Sequence, residues 1–408
     1  MSDFKILDIH CHPGLKNWLF PNMNHLWKKG APNNDLTNNC RNQIDIPSLL
    51  QGQFRGLISA HYLPEKFLLE KNLSTGLFRG LVPSILHGQY DTFETGNPFA
   101  QVRLMMEKLE QEISDAAVQH CNVKLATSYN EFNTEWNSAV GTDKIIFVHA
   151  LEGAHCLGRN LSKVEDYLMH LKIFHSKGAC MMTLAHFFPN DIATGVEGIA
   201  PSFRKLVLDE KFIPDNSAML TATGVEVVKT MFDIGMIVDL THSTYNERDQ
   251  VYSLNNARGG NRRPLIMSHT GLKSLFKPIP VDSVYKFDQY SARNEDVAAI
   301  AKCDGVIGVI MENYWLNGVE EGKDPATKIG IPIVIQTINE IKKQTGSYKN
   351  ISLGTDYDGY IDAPQDLMES SDMSKLIQAL EQQLGMTTTD IEDILWGNAK
   401  RVLQNGWK

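Results

Sequence analysis

Eight apolar runs, each long enough for one buried strand, recur along this chain with helix-like segments between them. They are "FKILDIHCH", "FRGLISAHYL", "KIIFVHALEG", "CMMTLAHFF", "GMIVDLTHS", "PLIMSHTG", "GVIGVIMEN" and "ISLGTDYDG". Their Ile, Val, Leu and Met suit strands covered on both faces. The segments between them carry apolar stripes at helical spacing. "NPFAQVRLMMEKLEQEISDAAV" opens on Asn97 as a cap, has Pro98 at the first helical position, and sets Val102, Met105, Met106, Leu109, Ile113 and Ala117 on one stripe. "LSKVEDYLMHLKIFHSKG" terminates at Gly178, "TGVEVVKTMFDIG" at Gly235, and "IPIVIQTINEIKKQTG" in Lys and Gly, while "RNEDVAAIAKCDG" starts with Asn294 as its cap. Alternating strands and helices require a parallel sheet, because each parallel connection is a crossover. Eight such units, without a glycine-rich phosphate fingerprint, predict an α/β fold of the (β/α)8 TIM-barrel type rather than an open doubly wound sheet.

In such a barrel the loops that follow the strands gather on one face. Two connections, residues 13–53 and 187–220, are too long for simple crossovers and are expected as long loops over the C-terminal face of the strands. No linker or composition shift marks a boundary, so residues 1–408 read as a single barrel domain.

Nearly every run finishes in a group that ionises or binds metal. Asp8, His10 and His12 follow one another at two-residue spacing, which points them to one side of a strand. Glu152, His186, His242, His269 and Asp356 close five other runs. A buried ionisable group without a partner is costly, and a shared metal removes that cost for all of them together. Imidazole and carboxylate suit zinc and similar divalent ions. The residues allow His10 and His12 to hold one ion and His242 and His269 a second, with Glu152 bridging. Asp356 is then placed to orient a metal-bridging hydroxide and take up its proton.

The net charge of −9 and the pI near 5.8 exclude a general nucleic-acid or anionic-membrane binder. The six cysteines are scattered and form no pair, as in reduced cytoplasmic proteins. No signal peptide, lipid-anchor signal or membrane-spanning run is legible, and a cytoplasmic location is the expectation.

The motifs "DIHCH", "VHALEGAHCLG", "MMTLAHFFPND", "GMIVDLTHST", "PLIMSHTG", "RNEDVAAIAKCDGVIGV", "ISLGTDYDG" and "ILWGNAKRVL" follow in an order that resembles the membrane (renal-type) dipeptidases of the amidohydrolase superfamily and their bacterial relatives. The resemblance covers almost the whole chain. It implies a (β/α)8 barrel with two zinc-like ions, Glu152 bridging, His242 and His269 on one ion and His10 on the other. It also implies Asp356 as the catalytic carboxylate, His186 against the scissile carbonyl, and Arg293 on the substrate's C-terminal carboxylate, a role that suits a guanidinium. The family usually has HxD at the first strand, and His12 replaces that Asp here, which removes a negative charge. Family members often form homodimers, although no interface is legible.

The expectation is a binuclear metal-dependent dipeptidase for dipeptides or related N-acyl amino acids, a small-molecule enzyme. A lactonase, a phosphotriesterase, or a non-catalytic binding or maturation protein on the same fold are the alternatives. Several residues stay open at this level. His155 either donates to a carboxylate or carbonyl near the site or packs at a strand end. His149 reads as a core histidine, and His61 as a pocket residue without a nameable partner. Cys11 reads as a core thiol, and Asp358 as a turn former. Trp18 and Trp27 either cap the site or pack the long loop.

Overall fold

The eight expected runs all form strands, and their order in sequence is their order in space. The computed structural model describes residues 4–19, 25–29, 42–65, 96–138, 143–196, 217–276, 289–318 and 330–408. The strands are β1 (Ile6–Cys11), β2 (Phe54–Tyr62), β3 (Val123–Ala126), β4 (Ile145–Glu152), β5 (Met181–Thr183), β6 (Ile237–Asp239), β7 (Leu265–Thr270), β8 (Val306–Val309) and β9 (Ile351–Leu353). All pairs are parallel, in the order β1-β2-β4-β5-β6-β7-β8-β9. The ring nearly closes between β9 and β1. There the Asp356 amide donates to the His10 carbonyl and the His12 amide to the Tyr357 carbonyl, both at 2.9 Å. This is the eight-stranded (β/α)8 arrangement that the alternation predicts.

β3 lies off the ring and pairs only with β4. Val123 and Leu125 are half-buried, Lys124 is exposed and only Ala126 is buried, so no buried apolar run announces it. The helices follow the sequence stripes. Asn97 accepts from the Phe99 amide at 3.0 Å to start the helix Pro98–Val118. Gly235 and Gly346, both left-handed, end the helices Ala222–Ile234 and Ile331–Thr345. One cap differs. The helix over 294–302 begins at Asn294 itself, and its capping residue is Arg293, whose amide is satisfied by Asp296 at 2.8 Å. A carboxylate three residues inside the helix takes over the role expected of the Asn294 side chain.

The described parts of the two long connections fold back on strand exits. Asp358, after β9, accepts from the amides of Gln43 and Ile44 at 2.6 and 3.3 Å and pairs with buried Lys16 at 3.0 Å. In the second connection the Val196 amide bonds the His242 carbonyl at 2.6 Å. Gly195 has φ +75, and a Cβ there would lie 2.5 Å from the His186 carbonyl oxygen, so this close approach requires glycine. Residues 20–24, 30–41 and 197–216 lie outside the described residues. Trp18 is buried in the core, while Trp27 stacks on His25 with ring centroids 4.5 Å apart, so both pack their loop. No helix among the described residues is long and apolar enough to cross a membrane.

Candidate metal centre and active site

Glu152 is the last residue of β4, and four imidazoles surround its carboxylate. Its Oε1 lies 3.3 Å from His10 Nε2, 3.3 Å from His242 Nε2 and 3.4 Å from His269 Nε2, while its Oε2 lies 3.4 Å from His12 Nε2. Asp356 Oδ1 adds a second carboxylate, 3.1 Å from His12 Nε2 and 3.9 Å from His10 Nε2. All six side chains are buried at the barrel mouth.

Some of these side chains come from the strands and some from the turns beyond them. His10 and His269 lie within β1 and β7, and His12 is one residue past β1. His186, His242 and Asp356 each stand three residues beyond the last residue of β5, β6 and β9. His242 and Asp356 reach the centre by left-handed backbone, φ +65 and +60. That conformation is uncommon for residues with a Cβ and collects where function holds it in place.

The donors fit a divalent metal. Two imidazole nitrogens on one tetrahedral zinc, each bound at about 2.0–2.1 Å, are roughly 3.3 Å apart. The Nε2 atoms of His10 and His12 are 3.3 Å apart, and those of His242 and His269 are 3.1 Å apart. Three overlapping groups, His10–His12–Asp356, His10–Asp239–His269 and Glu152–His242–His269, keep their ligand atoms within 4.8 Å. The electrostatics agree. Burial would raise the Glu152 carboxyl, but His10 and His12 hold it well below the usual range. Burial would lower His10, but the Glu152 carboxylate lifts it to about 9. The buried carboxylate therefore demands positive charge here, from a proton or a cation. Burial lowers His242 and pushes His269 well below the usual histidine value, so both present neutral imidazole, the form that ligates metal.

A polar layer orients these rings. His12 Nδ1 faces the Ala60 carbonyl at 3.0 Å. Ser268 Oγ lies 3.0 Å from His10 Nδ1 and 2.9 Å from His269 Nδ1. Asp239 Oδ1 accepts from the Thr241 amide (3.0 Å), the Thr241 hydroxyl (2.8 Å) and the Ser268 amide (3.0 Å), so it is engaged as a hydrogen-bond acceptor beside the donors. Asp8, a step deeper than His10, accepts from the Thr355 hydroxyl at 2.6 Å and ties β1 to the β9 exit. Gly308 and Gly354 keep this region close: a Cβ on either would meet the Ser268 carbonyl oxygen at 1.8 Å.

His186 sits beside this cluster, its ring centroid 4.4 Å from that of His242. Its Nδ1 meets Glu65 Oε1 at 3.0 Å. Burial would lower His186, but Glu65 and Glu152 raise it. Burial would raise Glu65, but His186 brings it down to about 2.

Arg293 is three residues after Tyr290, whose hydroxyl donates to the His269 carbonyl at 2.9 Å and whose ring lies 5.0 Å from that of His242. Its guanidinium bonds Asp249 at 2.7 and 3.3 Å and Asp296 at 2.8 and 3.1 Å, above the ring of Tyr245.

Sequence reading gave no role to Glu65, Asp239, Ser268 or Tyr290. Asp239 and Ser268 stand in the quoted "DLTH" and "SHT", but only contact across strands shows what they hold. Among the open residues, His155 Nε2 meets the Leu63 carbonyl at 2.7 Å, and His61 Nε2 meets His149 Nδ1 at 2.8 Å, a buried pair. Cys11 donates to the Ile58 carbonyl at 3.7 Å. Asp358, φ +66, belongs to a turn.

The fold is a parallel eight-stranded barrel that gathers four histidines around one carboxylate at its mouth. The chain belongs to the membrane dipeptidase family, peptidase family M19, whose model matches residues 1–406. The order of motifs had implied this family. The uncharacterized dipeptidase C965.12 of Schizosaccharomyces pombe is 27% identical over 267 residues, 65% of this chain and 53% of that protein. Dipeptidase tcpJ of Claviceps purpurea is 28% identical over 255 residues, 62% of this chain and 49% of that protein. The chain spans about half the length of these curated relatives. Among solved structures, a metallo peptidase from Rhodobacter sphaeroides, liganded with a phosphinate mimic of the dipeptide L-Ala-D-Ala, superposes with a TM-score of 0.70. Its sequence is 17% identical, and 99% of each chain is covered. The probable dipeptidase PvdM from Pseudomonas aeruginosa gives a TM-score of 0.68 at 15% identity over 98% of this chain and 95% of that one. At these identities the likeness is one of fold.

Proposed function

We propose that this protein is a dipeptidase that uses two divalent ions, zinc by donor type, to hydrolyse the amide bond of dipeptides or related N-acyl amino acids. The observation that carries the reading is the convergence of four histidine Nε2 atoms on the two oxygens of Glu152, with Asp356 alongside. His10 and His12 would hold one ion, and His242 and His269 the other. Glu152 would be the carboxylate shared by both, its Oε1 facing His10, His242 and His269 and its Oε2 facing His12. Bound ions supply Lewis acidity and a water acidic enough to ionise near neutral pH. The chain's own groups do the rest. Asp356 takes the water's proton and passes it to the leaving amine. His186 faces the carbonyl oxygen and stabilises its developing charge. Arg293 receives the substrate's free carboxylate. Family membership supports the reaction class, and the dipeptide mimic on the Rhodobacter sphaeroides protein supports a C-terminal carboxylate and tolerance of a D residue there.

The test is metal content together with hydrolysis of L-L and L-D dipeptides. Exhaustive chelation is expected to abolish turnover, and added zinc to restore it. Asp356→Asn is expected to keep its metal and lose turnover by about 10²- to 10⁴-fold. Full peptidase activity in the chelated protein rejects the metal mechanism, and unaltered turnover in Asp356→Asn rejects that residue's role.

A further inference from the structure

Glu65 lies three residues beyond Tyr62, the last residue of β2, and Tyr62 is in register with Glu152 on β4. Its carboxylate is held at both oxygens. Oε1 accepts from His186 Nδ1 at 3.0 Å and from the Phe187 amide at 3.2 Å, and Oε2 accepts from the Tyr62 hydroxyl. The His186 ring is packed among Tyr62, Phe187 and His242, with centroids at 4.2, 3.9 and 4.4 Å. The segment carrying Glu65 is itself braced, because His155 from the β4 exit meets the Leu63 carbonyl at 2.7 Å. Glu65 is only 6% exposed and His186 7%. A ring whose Nδ1 is taken by a fixed carboxylate can meet a substrate only through Nε2.

We infer that Glu65 is a positioning residue for turnover: it holds His186 by Nδ1 so that Nε2 is presented to the substrate's carbonyl oxygen. The inference rests on the hydrolase reading above. Glu65 makes no hydrogen bond to the proposed metal donors. Beside His186 it holds only the Phe187 amide and the Tyr62 hydroxyl among the described residues, so its effect on turnover is the part that disappears when His186 is absent. A salt bridge that merely stabilises the fold would lower stability and leave kcat of the folded, metal-loaded enzyme unchanged.

The test is a double-variant cycle on the metal-loaded full chain with L-Ala-D-Ala as substrate. Glu65→Gln keeps the size of the side chain and removes its charge. It is expected to lower kcat by about 10- to 100-fold, the usual cost of removing the partner that orients a functional histidine, with metal content unchanged. KM should stay within about threefold, as for an interaction made in the transition state. In a His186→Ala background the same change should cost less than about twofold. Wild-type kcat in Glu65→Gln, or the full loss repeated without His186, overturns the inference. A second arm does not depend on activity. In protein labelled with 15N-histidine, a low-field Nδ1 proton assigned to His186 by its loss in His186→Ala, and displaced in Glu65→Gln, supports the contact. Its absence from the wild type overturns it. A wild type that ignores the dipeptide panel counts against the functional reading, and the spectrum still judges the pair. Should Glu65→Gln not fold, the wild-type and His186→Ala spectra decide.

Discussion

His12 Nε2 lies 3.1 Å from Asp356 Oδ1 and 3.4 Å from Glu152 Oε2, so one imidazole stands between two carboxylates. The membrane dipeptidases usually carry an Asp at this place, which would bring a third carboxylate against the other two. His12 removes that crowding and, as a proposed ligand, would give a softer donor set. His12→Asp is expected to retain metal and to shift preference from zinc towards manganese, because carboxylates suit the harder ion. His12→Ala is expected to lose bound metal. Mass-spectrometric metal content after dialysis checks both, and full content in His12→Ala would remove His12 from the ligand set.

Arg293 has five N–H donors, and its bonds to Asp249 and Asp296 engage four of them. A bidentate grip on a substrate carboxylate therefore requires Asp249 to yield. Asp249 is the weak partner, its side chain 55% exposed, whereas that of Asp296 is fully buried. Exposed ion pairs are worth about 0.2–1 kcal/mol, so Asp249→Asn should lower KM by about 1.4- to 5-fold. Arg293→Lys, which loses the planar fork, should raise it. Steady-state kinetics with free and C-terminally amidated dipeptides give the answer. KM unmoved in both variants rejects Arg293 as the carboxylate anchor.

Asp296 also holds Arg248, a guanidinium with no solvent exposure, at 2.9 Å. Asp296→Asn leaves that charge buried without its partner and is expected to cost about 3–5 kcal/mol in urea unfolding at pH 7. Burial would raise the Asp296 carboxyl, but Arg248 and Arg293 hold it below its ordinary 3.8. A depressed folded pKa contributes stability above the ordinary value and loses it as pH falls through the lowered one. The gap between wild type and Asp296→Asn should therefore be full at pH 7 and narrow below about pH 4. A gap that stays constant to pH 2 would show that shape, not charge, sets the cost.

The barrel was legible because eight strands buried on both faces leave continuous apolar runs, and because a parallel sheet needs the intervening helices. The half-exposed β3 left no such run. The proposed metal donors were legible as residue types at the ends of runs, but not as positions. His186, His242 and Asp356 sit three residues past their strands, where left-handed turns at His242 and Asp356 replace the two-residue alternation. Glu65 follows a proline in "HYLPEK", and nothing local in that stretch announces an imidazole 121 residues away. The proposed role of Arg293 came only from the resemblance, and its grip on Asp249 and Asp296 depends on how two helices pack.

The hydroxyl of Ser268, shared by two imidazoles, fixes the direction of a chain of hydrogens. For His10 and His269 both to turn a bare Nε2 lone pair inward, both must carry hydrogen on Nδ1, and both then donate to Ser268 Oγ. Its lone pairs are filled, so its single hydrogen must point away, towards Thr241 Oγ1 at 3.4 Å. The hydrogen of Thr241 goes on to Asp239 at 2.8 Å. Asp239 Oδ1 already accepts from the Thr241 and Ser268 amides, so it ends the chain as an acceptor. With both rings turned that way, Asp239 reaches two rings on different strands through two hydroxyls and stands at the accepting end of the chain.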